Sequence, residues 1–595
     1  MRKRTLFSVA VLAGLAICSR AGAYDATAPS YATVSQDRLD KPEPQNWLMP
    51  RGTYNGWGYS PLDQINAKNV KRLIPVWSLS TGVTDAHQAA PIVNNGIMFV
   101  STPQNRIIAV DARTGDTIWR YERHLPPDMQ QLHPTNRGVA LYGDKVYMAT
   151  MDACVVALTA TTGKVAWQHC VAKWRDGYYM TLAPLAADGK ILVGVSGGEL
   201  GIRGFIDALD AETGKEDWKF YTVAGPGEPG GDTWKGDSWK TGGVPIWMQG
   251  NYDPATRTVY FGTGNGGPWM PDTRPGDNLF ATSAIALDVE TGKLKGYHQY
   301  HWNDAWDWDE VSAPLLIDVN RNGRAVHELV HAGRDGYLWQ LQRDPSGKIG
   351  FISGQPFVHQ DVFKSIDPKT GRPTYDEAKV PGTNKKALFC PSLWGGKDWP
   401  MEAYSPKTKL LYVPANDNLC AEIAGEKLGP REPGSLYVGV PIDDIFSSLR
   451  PRPGVDTSKP MKIGQLQAWD LSTGKKVWSH DFLDSAMWAP ILATAGDLVF
   501  SGGTNDRMFR AFDASNGKLE WETRLNSGVE GTPSTFMVNG VQYIAVLSGY
   551  GVDAERQNNG LKKMLAPRLD HQVVPNDGTI HVFALMGPKT ETASR

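Results

Sequence analysis

An all-β fold is predicted by three observations. One eleven-residue pattern, Ala-x-Asp-x-x-Thr-Gly-x-x-x-Trp, recurs along the chain: AVDARTGDTIW (109–119), ALTATTGKVAW (157–167), ALDAETGKEDW (208–218), AWDLSTGKKVW (468–478) and AFDASNGKLEW (511–521). Within each copy a short β-run enters a polar turn, Gly takes the turn's left-handed position, and a second β-run ends in Trp. Neighbouring well-formed copies stand 43 to 51 residues apart, the length of a four-stranded propeller blade. A lone hairpin is not stable in water, so each Trp must pack on the next copy and successive sheets must stack. With the weaker copies ALDVETGKLKG (286–296) and LQRDPSGKIGF (341–351), seven Gly-centred copies are present. An eighth sheet closes the ring if PVWSLSTG (75–82) pairs with IHVFAL (580–585). The expectation is an eight-bladed β-propeller with Trp-docking repeats; seven blades is the alternative.

The elements follow in order. Residues 1–23 read as a signal peptide: Arg2, Lys3 and Arg4 precede an apolar run from Leu6 to Ile17, and Ala21-Gly22-Ala23 is a small-residue cleavage site. The run is too short to span a bilayer comfortably, and no later stretch is long and apolar enough. Residues 24–595 are expected to form a single exported, periplasmic domain, since nothing in them resembles a flexible linker. Without Arg2, Lys3, Arg4 and Arg20, the 61 basic residues fall to 57 against 63 acidic ones, which gives nucleic acid no basic face to bind. Cys154 and Cys170 are equidistant from the turn at Thr162, so they face each other across a hairpin and are predicted to form a disulfide; two free buried thiols are the alternative. The segments 219–280 and 352–465 read as Gly- and Pro-rich loops inserted into the repeats, and loops on a rigid scaffold often carry binding chemistry. No Cys-x-x-Cys-His occurs, so haem is not covalently attached.

One stretch does not fit the repeat. HWNDAWDWDEVSAP (301–314) places Asp307 and Asp309 on either side of Trp308, with Glu310 adjacent and three Trp in seven residues. Two carboxylates two residues apart in an extended segment point to the same side. Asp304 reads as a turn residue. His298 and His301 flank the acids without the spacing of a histidine metal site, so neither is taken as a ligand.

Together with SGGELGIRG (196–204), FGTGNGGPW (261–269), RPGDN (274–278), NRGVAL (136–141), TLAPL (181–185) and DSWKTGG (237–243), this stretch resembles the signature segments of the quinoprotein methanol/ethanol dehydrogenases, which depend on pyrroloquinoline quinone (PQQ). The resemblance runs in order over nearly the whole chain. It implies a metal held by Glu199, Asn265 and Asp307, with Asp307 also the general base. It implies Arg137, Thr181, Ser196, Arg334 and Asn416 as hydrogen-bonding partners of the quinone, with Gln88 where relatives carry Glu or Gln. Trp247 would be the floor on which the quinone lies, Trp488 another wall, and Trp269 a residue over the substrate. A structural disulfide between Cys390 and Cys420 is implied as well. Members that use lanthanides carry Asp at the position of Asp309, while calcium users carry a small residue. A trivalent ion gains more from an extra carboxylate than a divalent one does, so lanthanide(III) is favoured and Ca2+ is the alternative. The chain departs from the family where adjacent cysteines normally cover the quinone: Gln131, Leu132 and His133 stand there, and Leu132 is the expected apolar lid.

The resemblance implies oxidation of an alcohol to an aldehyde or ketone. Arg334 would stabilise developing negative charge, and electrons would pass to a soluble c-type cytochrome. A sugar, polyol or bulky secondary alcohol is an alternative substrate, and a non-enzymatic envelope scaffold is the alternative from another class. A homodimer stays open.

Overall fold

A computed structural model describes residues 29–129 and 131–586; the signal-peptide expectation for 1–23 lies outside them. Among the described residues eight antiparallel-dominated sheets have four or five strands, most built from strands consecutive in sequence. The outermost strand of one is Leu73–Ser80, paired antiparallel with Thr579–Leu585 so that Trp77 faces Val582 and Leu79 faces Ile580. This pairing joins an early strand to the last one among the described residues, as the repeat pattern requires. The result is a β-propeller.

Burial runs from the centre outwards. Ile97–Thr102, an inner strand, is buried at every position, whereas Thr117–Glu122, at the outer edge of the same sheet, is mostly exposed with Trp119 turned inwards. An inner strand has a neighbouring sheet on both faces, so it can be apolar throughout, while an outer strand alternates.

The repeat motif makes the joint between sheets. Indole Nε1 of Trp119 donates to the Ala160 carbonyl at 2.9 Å, Trp167 to Ala211 at 3.1 Å, Trp218 to Val289 at 2.9 Å and Trp478 to Ala514 at 3.2 Å. In each case the acceptor lies in the next copy of the repeat. The turn Gly is needed twice over. Gly163 has φ +69°, and a Cβ there would stand 2.6 Å from the Trp119 ring; Gly214 and Gly292 meet Trp167 and Trp218 in the same way. Where the preceding copy lacks Trp the contact changes: Gly347 faces Lys295. The repeat Asp shapes the turn, as when Asp210 Oδ1 accepts from the Thr213 N–H at 2.8 Å.

Cys154 and Cys170 are register partners and are disulfide-bonded, as are Cys390 and Cys420. The two insertions are not simply loops. Asn251–Asp253 and Thr258–Gly262 belong to a four-stranded sheet, and 352–465 contains the strands Lys386–Phe389, Leu410–Asn416 and Leu419–Ala424. Gly and Pro at their edges concealed these short, buried runs. The helix Val552–Met564 was also not foreseen.

Candidate active site

The segment 301–314 contains no strand, and Asp307 has φ +62°. The expectation of an extended segment is therefore corrected. The Asp304 carboxylate accepts the backbone N–H groups of Trp306 (3.3 Å), Asp307 (3.1 Å) and Trp308 (3.4 Å), and so wraps the chain around itself. The two indoles, both fully buried, stack with centroids 4.9 Å apart and donate to the carbonyls of Lys379 and Ser392. Trp306 and Trp308 are thus anchors, and the strained backbone between them aims Asp307.

Asp307 and Asp309 still converge, and Arg334 shows where. Its Nη1 is 3.1 Å from Asp309 Oδ2, and its Nη2 is 3.4 Å from Asp307 Oδ2 and 3.3 Å from Asp398 Oδ2. Asn265 bridges the pair from the other side: its Nδ2 is 2.9 Å from Asp307 Oδ1, and its backbone N–H donates to Asp309 Oδ1 at 2.6 Å. Trp247 Nε1 donates to Asp309 Oδ2 at 3.2 Å. Gly264 has to be glycine, because a Cβ there would stand 2.5 Å from Asp309 Oδ1. Glu199 sits in the short turn Gly198–Leu200, between Gly197 and Gly201 in left-handed conformations, and faces the same cavity.

Burial pushes the Asp307 carboxyl well above the ordinary range; Arg334 pulls it down, while Asp309 and Glu199 push it further up. Asp309 is raised to about 7, again by burial first, with Arg334 opposing and Glu199 adding. Carboxylates gathered this tightly with a single guanidinium between them carry excess negative charge, which is costly away from water. Hard oxygen donors in that state suit a hard cation, and a half-turn of the Asn265 amide presents its oxygen to the same place.

These acids open onto one cavity that solvent reaches. Leu132, Arg137, Thr181, Ser196, Glu199, Trp247, Trp269, Asp307, Asp309 and Arg334 all line it. The Arg137 guanidinium lies 4.6 Å from the Trp247 ring centroid, its Nη1 donates to Thr181 Oγ1 at 2.6 Å, and its buried Nε has no partner among the described residues. An indole face beside an incompletely satisfied guanidinium and two hydroxyls fits a flat, carboxylate-bearing ring such as PQQ.

Asn265 touches the acids without lining the cavity, and three other expected residues lie outside it altogether. Gln88 donates to Glu530 at 2.9 Å, Asn416 is held by the Met487 backbone at 2.8 Å, and Trp488 Nε1 donates to Gln557 at 2.8 Å. All three are buried and bonded elsewhere. Sequence reasoning missed Asp398, which faces Arg334, and also Asp553 and Arg556. Arg556 donates to the Leu132 carbonyl at 2.8 Å and to Asp553 at 3.0 Å, while His133 reaches Asp553 at 3.5 Å. These contacts occupy the region where the family's adjacent cysteines were expected. The i, i+3 spacing of Asp553 and Arg556 was the available signal.

A family model described as the glucose/ethanol/alcohol dehydrogenase β-propeller domain, PQQ, matches residues 47–364 and 483–544. The chain is 37% identical over 579 residues to the quinoprotein alcohol dehydrogenase PedH of Pseudomonas putida, covering 92% of each chain. It is 34% identical over 639 residues to a quinoprotein ethanol dehydrogenase of Pseudomonas putida, covering 99% of this chain and 98% of the relative. Among solved structures, a europium-containing methanol dehydrogenase superposes with a TM-score of 0.84 at 33% identity, over 92% of this chain and 100% of the other.

Proposed function

The chain belongs to the PQQ-dependent glucose/ethanol/alcohol dehydrogenase family, and from that premise we infer that it is a quinoprotein alcohol dehydrogenase, oxidising an alcohol to an aldehyde or ketone. The observation that carries this reading is the meeting of Asp307, Asp309 and Arg334 in one cavity with Glu199 and the Trp247 indole. Glu199, Asn265, Asp307 and Asp309 would hold the cation. Arg137, Thr181, Ser196 and Trp247 would hold the quinone. When bound, the quinone supplies the hydride acceptor and the cation supplies Lewis acidity.

The protein's own residues do the rest. Asp307 takes the hydroxyl proton: its carboxylate is partly open to the cavity, and Arg334 and Asn265 hold it in place. Arg334 donates to both acids, so it fixes their orientation and leaves a guanidinium facing the reacting centre. Trp269 and Leu132 confine the substrate. The membership leaves no place for the non-enzymatic scaffold.

The finer readings belong to this proposal. The ion is a lanthanide(III), supported by Asp309 as a third carboxylate beside Glu199 and Asp307. The ring has eight blades, supported by the eight sheets of four or five strands, within one domain spanning 24–595. The protein works in the periplasm, for which two disulfides are suited, and it passes electrons to a soluble c-type cytochrome. The test is to purify the chain, add PQQ with lanthanum or with calcium, and record quinone absorbance and alcohol-dependent dye reduction. Both should appear, with the larger rate in lanthanum. Absence of both with either metal would rule the reading out.

A further inference from the structure

The large apolar side chains exposed on this protein are unevenly placed. Among the described residues seven of them, Val76 and Ile118 included, lie on the outermost strands of six different sheets, where a propeller rim meets water. Three others fall within eleven residues of each other and face one cavity: Leu436 is 46% exposed, Ile442 39% and Phe446 42%. That cavity is the one containing Asp307 and Arg334. Val438 and Ile445, deeper in the same segment, line it too.

The segment is not loosely draped over the opening. The Tyr437 N–H donates to the carbonyl of Glu199 at 2.7 Å, and the Trp269 N–H donates to the carbonyl of Val438 at 2.9 Å. The apolar rim is therefore tied by backbone bonds to the acid that faces the reacting centre and to the indole beside it. Asp553 and Arg556 also line the cavity, the Arg556 guanidinium lying 5.9 Å from the Phe446 ring centroid. An entering alcohol thus meets the apolar collar with a charged pair next to it.

We propose that residues 436–446 form a substrate-selecting collar, so that the enzyme prefers primary alcohols with an alkyl tail of several carbons: the hydroxyl reaches Asp307 while the tail covers Leu436, Ile442 and Phe446. The proposal rests on the alcohol dehydrogenase reading and adds the substrate class. Each methylene drawn from water onto such a surface contributes about fourfold in kcat/KM at most, equivalent to ~0.8 kcal/mol.

The test uses the enzyme loaded with PQQ and its metal, with a dye as acceptor so that no protein partner takes part. From ethanol through 1-butanol and 1-hexanol to 1-octanol, kcat/KM should rise at least tenfold. The triple substitution Leu436→Ser, Ile442→Ser, Phe446→Ser, at positions already in water, should cut the octanol-to-ethanol ratio by tenfold or more. A flat series overturns the collar, as does a ratio the triple variant leaves untouched. If the variant leaves every dye-linked rate unchanged and slows only the reduction of a c-type cytochrome supplied as acceptor in a parallel assay, the patch is a protein-docking face and the proposal is again overturned. Calorimetry of 1-octanol binding at two temperatures gives a second readout: a negative heat-capacity change that the variant loses. Binding lost in the variant without oxidation of any alcohol would uphold the collar but sink the dehydrogenase reading. Oxidation without chain-length dependence would do the reverse.

Discussion

The repeat hairpins and the segment 301–314 use the same two residue types for opposite ends. In the hairpins, Asp210 and its equivalents bond their own turn near solvent, and each Trp leans on the next sheet. In 301–314 the indoles Trp306 and Trp308 are buried anchors, while Asp307 and Asp309 are left facing one guanidinium with their charge poorly balanced. An acid that satisfies its own backbone contributes to folding; an acid crowded by other acids is held in place for a ligand. The difference lies in neighbours, not in residue identity.

The comparison predicts that damage in the two regions reads out differently. Asp307→Asn should lower kcat by about a thousandfold, within the range for a general base, with the fold retained in circular dichroism; full turnover would remove Asp307 from the chemistry. Trp119→Ala should do the converse, costing about 3 kcal/mol in urea unfolding while turnover per folded molecule stays the same. A large loss of activity there would blur the division.

The acid cluster should also show itself through pH. The folded-state value of Asp309 lies above its unfolded 3.8, at about 7. The folded chain therefore holds that proton more tightly, and the contribution is complete below about pH 4 and lost as pH rises through 7. Metal-free protein should lose roughly 2 kcal/mol of stability over that window, after allowing for relaxation of a buried site. Added lanthanum should restore it, with the larger gain at pH 8. A metal-free melting curve indifferent to pH would contradict the crowded-acid account. The smallest expected effect concerns selectivity: Asp309→Ala should lose at least tenfold in lanthanum-supported kcat/KM and change calcium-supported kcat/KM by less than about threefold. Equal loss with both ions would show that Asp309 serves Arg334 and Trp247 instead.

Much of the ring was legible because its cause is local. A Gly in a left-handed turn and a Trp four residues on are visible in one copy, and repetition reveals what they pack against. The convergence of Glu199, Asp307 and Arg334 was reached only through motif resemblance, since their spacing along the chain carries no geometry. Asn416 and Trp488 show the limit of that route: both are buried as expected of wall residues, yet both spend their polar groups on backbone or on Gln557. Asp398 and the collar at 436–446 had no local signature, and the i, i+3 spacing of Asp553 and Arg556 did not by itself point to a cavity.

By itself the sequence determined the period of the sheets, the closing pair of strands 73–80 and 579–585, the hairpin disulfide and the residue types of the site. Tertiary structure alone decided that Asp398 would face Arg334, that the 552–564 helix would bring charge to the cavity, and that three apolar side chains would gather at its mouth. Strand period and turn chirality act over a few bonds and are written in neighbouring residues. Charge crowding and exposure depend on which distant segments meet, and that is settled only when the ring closes.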